Sequence, residues 1–285
     1  MNTSLQFCVI GDWGRRGQFR QKETATQLAK TAQKVLPDFV ISTGDNFYDA
    51  GVESLDDPNW QESFEDIYDQ ESLQIPWYVV LGNHDYDGSV RAQIDYSLIS
   101  QRWNLPARYY TLHQYLDQED VLLLFTDTSP FIQEYYEAGK SEIMAQDKYR
   151  QLEWLENELA QSTAKWKIVI GHHPVFSSSP YHGNADELID TFVPLFKRYH
   201  VDLYLSGHEH DLQLQKPLGT TYYLVSGAGS EMRDTGRNDI TRFSSSNNGF
   251  ALITLEDDSL SICFTDDTGN DLFREKIEKQ AALRN

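Results

Sequence analysis

Five apolar runs in this chain each lead into a glycine, and each glycine is followed by side chains that bind metals. The runs are Phe7 to Ile10, Phe39 to Ile41, Val79 to Leu81, Ile168 to Ile170 and Leu203 to Leu205. The motifs after them are Gly11-Asp12-Trp13-Gly14, Gly44-Asp45-Asn46-Phe47-Tyr48, Gly82-Asn83-His84-Asp85, Gly171-His172-His173-Pro174 and Gly207-His208-Glu209-His210. Short aliphatic or β-branched runs bounded by glycine read as buried strands. Glycine lets the chain turn sharply as it leaves a sheet, so the next side chain projects from the strand's carboxyl end, where open α/β sheets place their ligands. Five parallel-looking strand ends would then converge on one crevice.

No motif decides the matter alone. A Gly-Asp step after a strand usually serves a turn or a helix cap, and Gly-Asn-His-Asp is ordinary turn composition. His208 and His210 flank Glu209 at a spacing that suits two ligands on an extended segment. The conjunction carries the weight, because five independent accidents, each at a strand end, explain the pattern less well than one shared site. Phosphate esters are hydrolysed by metal-held hydroxide, and two cations about 3.5–4 Å apart activate water while clamping the phosphoryl oxygens. Hard or borderline cations favour oxygen and imidazole nitrogen. The motifs offer carboxylates, a phenol, an amide and histidines, with no cysteine. Together they read as a two-metal phosphoester hydrolase.

On these residues the chain resembles the purple acid phosphatases, in particular the small tartrate-resistant type of mammals and the low-molecular-weight plant enzymes. The resemblance runs from about Phe7 to the strands near Phe264, and is closest to the plant form at Gly11 to Gly17 and Ile41 to Asp49. Tyr48 is the discriminating residue, since metallophosphoesterases at large lack a tyrosine three positions after the bridging aspartate. The resemblance implies an iron(III) site of Asp12, Tyr48 and His210, a divalent site (iron, zinc or manganese) of Asn83, His172 and His208, and Asp45 bridging the two. It implies catalytic roles for Asn83, for His84 by motif and for His182 by its place in the loop after the fourth motif strand. His173 reads as a packing or supporting residue, since its neighbour already supplies a ligand. The implied reaction is acid-phosphatase hydrolysis of a small phosphomonoester or phosphoprotein, with inorganic phosphate as product. Metal-bound hydroxide would attack in line, and His182 or His84 would protonate or steady the leaving group. An acidic optimum follows, because zinc brings bound water to a pKa of about 7 and a trivalent ion takes it lower. Three other readings use the same residues: a phosphodiesterase or nucleotide phosphohydrolase, a non-hydrolytic iron redox protein, and a binding protein on the same scaffold. The last is disfavoured, since all seven ligand positions hold competent residues.

At 285 residues, with no repeat or linker-like tract, the chain reads as one domain spanning 1–285. Helical spacing appears at Gln21 to Val35, Asp147 to Leu159 and Glu187 to Tyr199. Period-two runs at Tyr109 to Leu112, Val121 to Phe125, Tyr222 to Val225, Phe250 to Leu255 and Leu260 to Phe264 suggest a second sheet. Two mixed sheets flanked by helices make an α/β fold. The resemblance implies the four-layer αββα sandwich of the calcineurin-like metallophosphoesterases.

The net charge of −20, from 24 basic and 44 acidic residues, argues against nucleic acid as a partner. Arg15 and Arg16 read equally well as phosphate donors or as a solvated loop. Cys8 and Cys263 fall in strands, where buried free thiols are usual, and a bridge between them is the alternative. No apolar run is long enough to span a membrane, so no membrane partner is expected. No leader precedes the first strand, so the chain as written reads as cytoplasmic; a trimmed mature form would be secreted, periplasmic or vacuolar. Asn2-Thr3-Ser4 matches the glycosylation sequon.

Overall fold

The computed structural model describes residues 4–279; Asn2 and Thr3 of the sequon lie outside them. In chain order the strands are β1 (Leu5–Ile10), β2 (Phe39–Ser42), β3 (Trp77–Val79), β4 (Trp103–Asn104), β5 (Tyr110–Leu116), β6 (Glu119–Phe125), β7 (Trp166–Ile170), β8 (Leu203–Ser206), β9 (Leu212–Gln215), β10 (Tyr222–Ser226), β11 (Thr241–Ser245), β12 (Gly249–Leu255), β13 (Ser259–Asp266) and β14 (Asp271–Glu278). The helices are α1 (Gln21–Val35), α2 (Val90–Tyr96), α3 (Gln133–Glu137), α4 (Ser141–Met144), α5 (Lys148–Gln161) and α6 (Asp186–Tyr199).

Alternation along the strands builds four layers. Successive side chains of a strand face opposite sides of its sheet. In β1, Phe7 and Val9 enter the core between the sheets, while Cys8 and Ile10 face the helices. In β8, Leu203 and Leu205 point inward and Tyr204 outward. Helix α1 covers the first sheet with Ala25, Leu28, Ala29 and Ala32, and α6 packs Phe192 and Phe196 against Tyr204 of the second. Helix α1 stops where Leu36 turns left-handed (φ 53°) and Pro37 follows. Helix α5 is capped at its start by Asp147, whose carboxylate accepts hydrogen bonds from the Tyr149 and Arg150 amides. The αββα sandwich implied by the sequence is therefore present.

The division of strands differs from expectation. One sheet runs β14-β13-β12-β1-β2-β3-β4 and the other β11-β9-β10-β8-β7-β6-β5. The five motif strands do not share a sheet: β1, β2 and β3 are parallel neighbours in the first, and β7 and β8 in the second. The expected second sheet is likewise split, since β12 pairs antiparallel with β1 (Phe7 opposite Ile253) and takes β13 with it. The third motif strand ends at Val79, so Val80 and Leu81 lie beyond it.

Pairing also disposes of the disulfide. Leu252 stands between Cys8 and Cys263 in neighbouring strands. Two strand spacings separate their Cα atoms by about 9.6 Å, beyond the roughly 7 Å Cα limit for a bridge. Both cysteines are free and buried, and burial pushes the Cys8 thiol up to about 12. Among the described residues no helix is long and apolar enough to cross a membrane.

Candidate metal centre

All five motifs meet at the seam between the sheets, and unusual backbone sets their direction. Asp12, Asp45 and His208 are left-handed (φ 58°, 49° and 68°), a region that non-glycine residues occupy at a cost. Of the five glycines that open the motifs, only Gly44 has positive φ (93°). Close approach, not turning, explains two of the others. A Cβ on Gly82 would run into Asp45 Oδ1, and one on Gly207 into Asp12 Oδ2. Trp13 anchors the first motif, buried among Phe47, Tyr68, Trp77 and Trp103 with its indole N–H donated to Ser42 Oγ at 2.8 Å.

Two groups of donor atoms result, sharing Asp45. In the first, Tyr48 Oη lies 2.9 Å from Asp12 Oδ1, 2.9 Å from Asp45 Oδ2 and 3.0 Å from His210 Nε2. In the second, His172 Nε2 lies 3.4 Å from Asp45 Oδ2, 3.2 Å from Asn83 Oδ1 and 3.2 Å from His208 Nδ1. Ligands held about 2.1 Å from one ion stand about 3.0 Å apart at octahedral angles and about 3.4 Å apart at tetrahedral ones. The observed separations match those edges. Backbone amides fix the carboxylates: His208 N–H donates to Asp12 Oδ2 and His84 N–H to Asp45 Oδ1, each at 2.9 Å. His172 Nδ1 meets the Thr43 carbonyl at 2.8 Å, which aims Nε2 inward.

The electrostatics suit cations. Burial holds the Asp12 carboxyl well above the usual range, against the pull of His172. Burial and the two neighbouring carboxylates push the Tyr48 phenol well above its ordinary value. Burial would also raise Asp45, but His172 and His84 hold it below the usual range. His172 itself reaches about 9, because Asp45 and Asp12 outweigh its burial. Burial and adjacent cations push His210 down to about 3, so its ring stays neutral. The donor set thus carries more negative charge than its burial tolerates, and a multivalent cation would relieve this by displacing the phenol and carboxyl protons. The residues fit a two-metal group.

Residues 5–212 match the family model described as calcineurin-like phosphoesterase. The chain is 39% identical over 285 residues to purple acid phosphatase 4 of Arabidopsis thaliana, covering 95% of this chain and 83% of that protein. It is 34% identical over 303 residues to tartrate-resistant acid phosphatase type 5 of Homo sapiens, covering 98% and 92%. The chain belongs to the purple acid phosphatases. Among solved structures, GAP50, the anchor in the inner membrane complex of Plasmodium, superposes with a TM-score of 0.85 at 26% identity, covering 98% of this chain and 90% of that one. Purple acid phosphatase PPD1 from yellow lupin seeds superposes at 0.75 with 16% identity, covering 98% and 54%.

Around the donors of this purple acid phosphatase, the structure sorts the remaining candidates. His84 packs its ring 4.6 Å from that of Tyr48, and its Nδ1 meets the Asp49 carbonyl at 2.5 Å. His182 lies over His208 with ring centroids 4.3 Å apart, and its Nδ1 lies 3.2 Å from Glu209 Oε2. Both therefore keep Nε2 for other partners. His173 has no free nitrogen, since Thr128 Oγ1 and Tyr135 Oη hold its ring at 2.8 and 2.7 Å. It is a supporting residue. Arg15 does not stand free for phosphate: it stacks 3.7 Å over the Tyr48 ring and pairs with Glu231 at 2.8 Å and Asp49 at 3.3 Å. Arg16 pairs with Glu62.

Two buried acids were missed from sequence. Glu209 accepts hydrogen bonds from Ser177 Oγ (3.2 Å) and Gly183 N–H (3.1 Å) besides holding His182. Its signal was available, because alternation turns it away from its two histidine neighbours into the protein, where an acid needs partners. Asp85 ties the second and third motifs together, accepting from Gly82 N–H (2.8 Å), Gln93 Nε2 (2.8 Å) and Asn46 Nδ2 (3.0 Å).

Proposed function

We propose that the chain is an acid phosphatase that hydrolyses phosphate monoesters at a binuclear iron(III)–divalent centre, with residues 1–285 acting as one catalytic domain. Asp12, Tyr48 and His210 would hold the iron, Asn83, His172 and His208 the divalent ion (iron, zinc or manganese), and Asp45 would bridge. The observation that carries this reading is the Tyr48 phenol lodged between the Asp12 and Asp45 carboxylates and His210, all within 3.0 Å of its oxygen. When bound, the two cations supply an activated water and a clamp on the phosphoryl oxygens. Five positive charges against two aspartates and a tyrosinate leave about two, so the pocket attracts phosphate on an otherwise acidic surface.

The chain's own groups do the rest. Asn83 stands at the second donor group and keeps its amide N–H for a phosphoryl oxygen. His182, with Nδ1 directed to Glu209, presents Nε2 to the leaving-group oxygen and delivers its proton. His84, with Nδ1 on the Asp49 carbonyl, presents Nε2 from the Tyr48 side and steadies the phosphate. The substrate is a small phosphomonoester or a phosphoprotein, and inorganic phosphate is the product. Fold alone decides nothing about activity, since a similar structure serves as an anchor in Plasmodium.

The test is metal analysis of protein purified without added metals, with a visible spectrum and assays at acid pH. Two metals per chain including iron, a visible band, and faster release from mono- than from bis-nitrophenyl phosphate are expected. Full activity with two divalent ions, no iron and no colour would refute the iron assignment. Preference for the diester would refute the monoesterase reading, and peroxidative chemistry without phosphate release would make the chain a redox protein.

A further inference from the structure

We propose that Arg233 selects phosphate esters whose leaving group carries a second anionic group, holding that group on the His182 side of the metal centre. The inference rests on the phosphatase reading. Arg233 lies in the loop after β10, and its backbone N–H donates to the His210 carbonyl at 2.8 Å, which ties its Cα to a ligand-bearing segment. Its guanidinium stands 5.6 Å from the centre of the Tyr181 ring, the residue before His182. Tyr181 is 55% exposed and Arg233 half-buried, so the pair borders the open mouth of the site.

What separates this arginine from its neighbour is what each side chain holds. Arg15 is fixed by Glu231 and Asp49. Among the described residues no carboxylate pairs with the Arg233 side chain, which leaves its planar fork of donors for a phosphate or carboxylate. The two rims of the site differ in the same sense. On the His84 rim stands Asp49, 3.3 Å from the Arg15 guanidinium, so the cation there is already taken. On the opposite rim stand His182, braced by Glu209, and the unpaired guanidinium. A leaving group that takes its proton from His182 Nε2 departs along this rim, so an anion carried beyond the scissile oxygen meets Arg233. Tyr181 acts as a post that keeps the guanidinium there by cation–π contact.

The experiment compares phenyl phosphate with 4-carboxyphenyl phosphate on the metal-loaded full chain, for wild type, Arg233→Met and Arg233→Lys. The readout is the ratio of kcat/KM for the carboxylated ester to that for the plain one, with metal content measured in parallel. A charge-assisted contact at a partly exposed site is worth about tenfold. Arg233→Met should lower the ratio by about that factor, chiefly through KM of the carboxylated ester. Arg233→Lys should restore part of it, and 0.5 M salt should shrink the wild-type preference. An unchanged ratio overturns the proposal. Loss of metal from Arg233→Met also overturns it, since the arginine would then be holding the site together. Wild-type protein that hydrolyses neither ester refutes the phosphatase reading and this inference with it, whereas hydrolysis of both with an unmoved ratio refutes this inference alone.

Discussion

Asp127→Asn should make the protein more stable at neutral pH and leave it almost unchanged in acid. Asp127 is buried just past β6, where it accepts a hydrogen bond from Tyr86 Oη on one oxygen and has no partner on the other. Burial pushes its carboxyl up to about 6, against the opposing effects of Tyr86 and Arg108. The sign follows from proton linkage. Between the ordinary value of 3.8 and about 6 the folded chain holds a proton that the unfolded chain has lost. The contribution is therefore complete below 3.8 and disappears as pH rises through 6. The interval is 6 − 3.8 = 2.2 pH units, which at about 1.36 kcal/mol per unit sets a ceiling of about 3 kcal/mol. Asparagine mimics the protonated acid and cannot ionise. It leaves the local backbone intact, because Gln151 is held by the Asp127 amide and carbonyl at 2.8 and 2.9 Å, not by its side chain. The assay is urea unfolding of metal-loaded wild type and variant at pH 4 and pH 7.5. The variant should gain up to about 3 kcal/mol at pH 7.5 and only about 0.5 kcal/mol at pH 4. A difference of equal size at both pH values would mean that asparagine acts through packing and that the buried carboxyl is not the cause. The direction suits an enzyme working in acid, where this buried acid imposes no ionic cost.

Three further outcomes test the site. Asp45→Asn should lose metal from both positions and nearly all turnover, since one residue serves both donor groups; two metals per chain by mass spectrometry with wild-type rates would show the bridge to be misassigned. Tyr48→Phe should abolish the visible charge-transfer band while Asp12, Asp45 and His210 retain the ion, so a variant that keeps its colour would place the phenolate elsewhere. Glu209→Gln should keep its metals yet lower kcat about 10–100-fold on alkyl phosphates, with less effect on nitrophenyl phosphate, because it weakens the brace on His182, the proposed proton donor to the leaving group; equal losses on the two substrates would remove Glu209 from that role.

The donor residues that meet at the seam were readable from sequence because each lies within seven positions of the end of an apolar run, and such runs need only local information to be recognised. The helices were readable for the same reason, with Leu188, Phe192, Leu195 and Phe196 of α6 buried as their spacing requires. The allocation of strands to sheets was not, since β1 pairs with β12 across more than half the chain and nothing in either run names its partner. That gap also hid the supporting residues. Arg15 follows a ligand motif closely enough to look like a phosphate donor, but Glu231, far along the chain and in the loop after β10, draws it onto the Tyr48 ring instead. Glu231 Oε2 then lies 3.6 Å from His210 Nδ1, a buried nitrogen with no hydrogen-bond partner among the described residues. The two sheets contribute unequally to this arrangement: Asp12, Asp45, Tyr48 and Asn83 follow strands of the first, and His172, His208 and His210 follow strands of the second. Oxygen donors thus come from one sheet and nitrogen donors from the other. Each donor group contains both kinds, so neither can assemble until the sheets have packed. Folding of the sandwich and formation of the site are one event, and metal binding should stabilise the contact between the sheets more than either sheet alone.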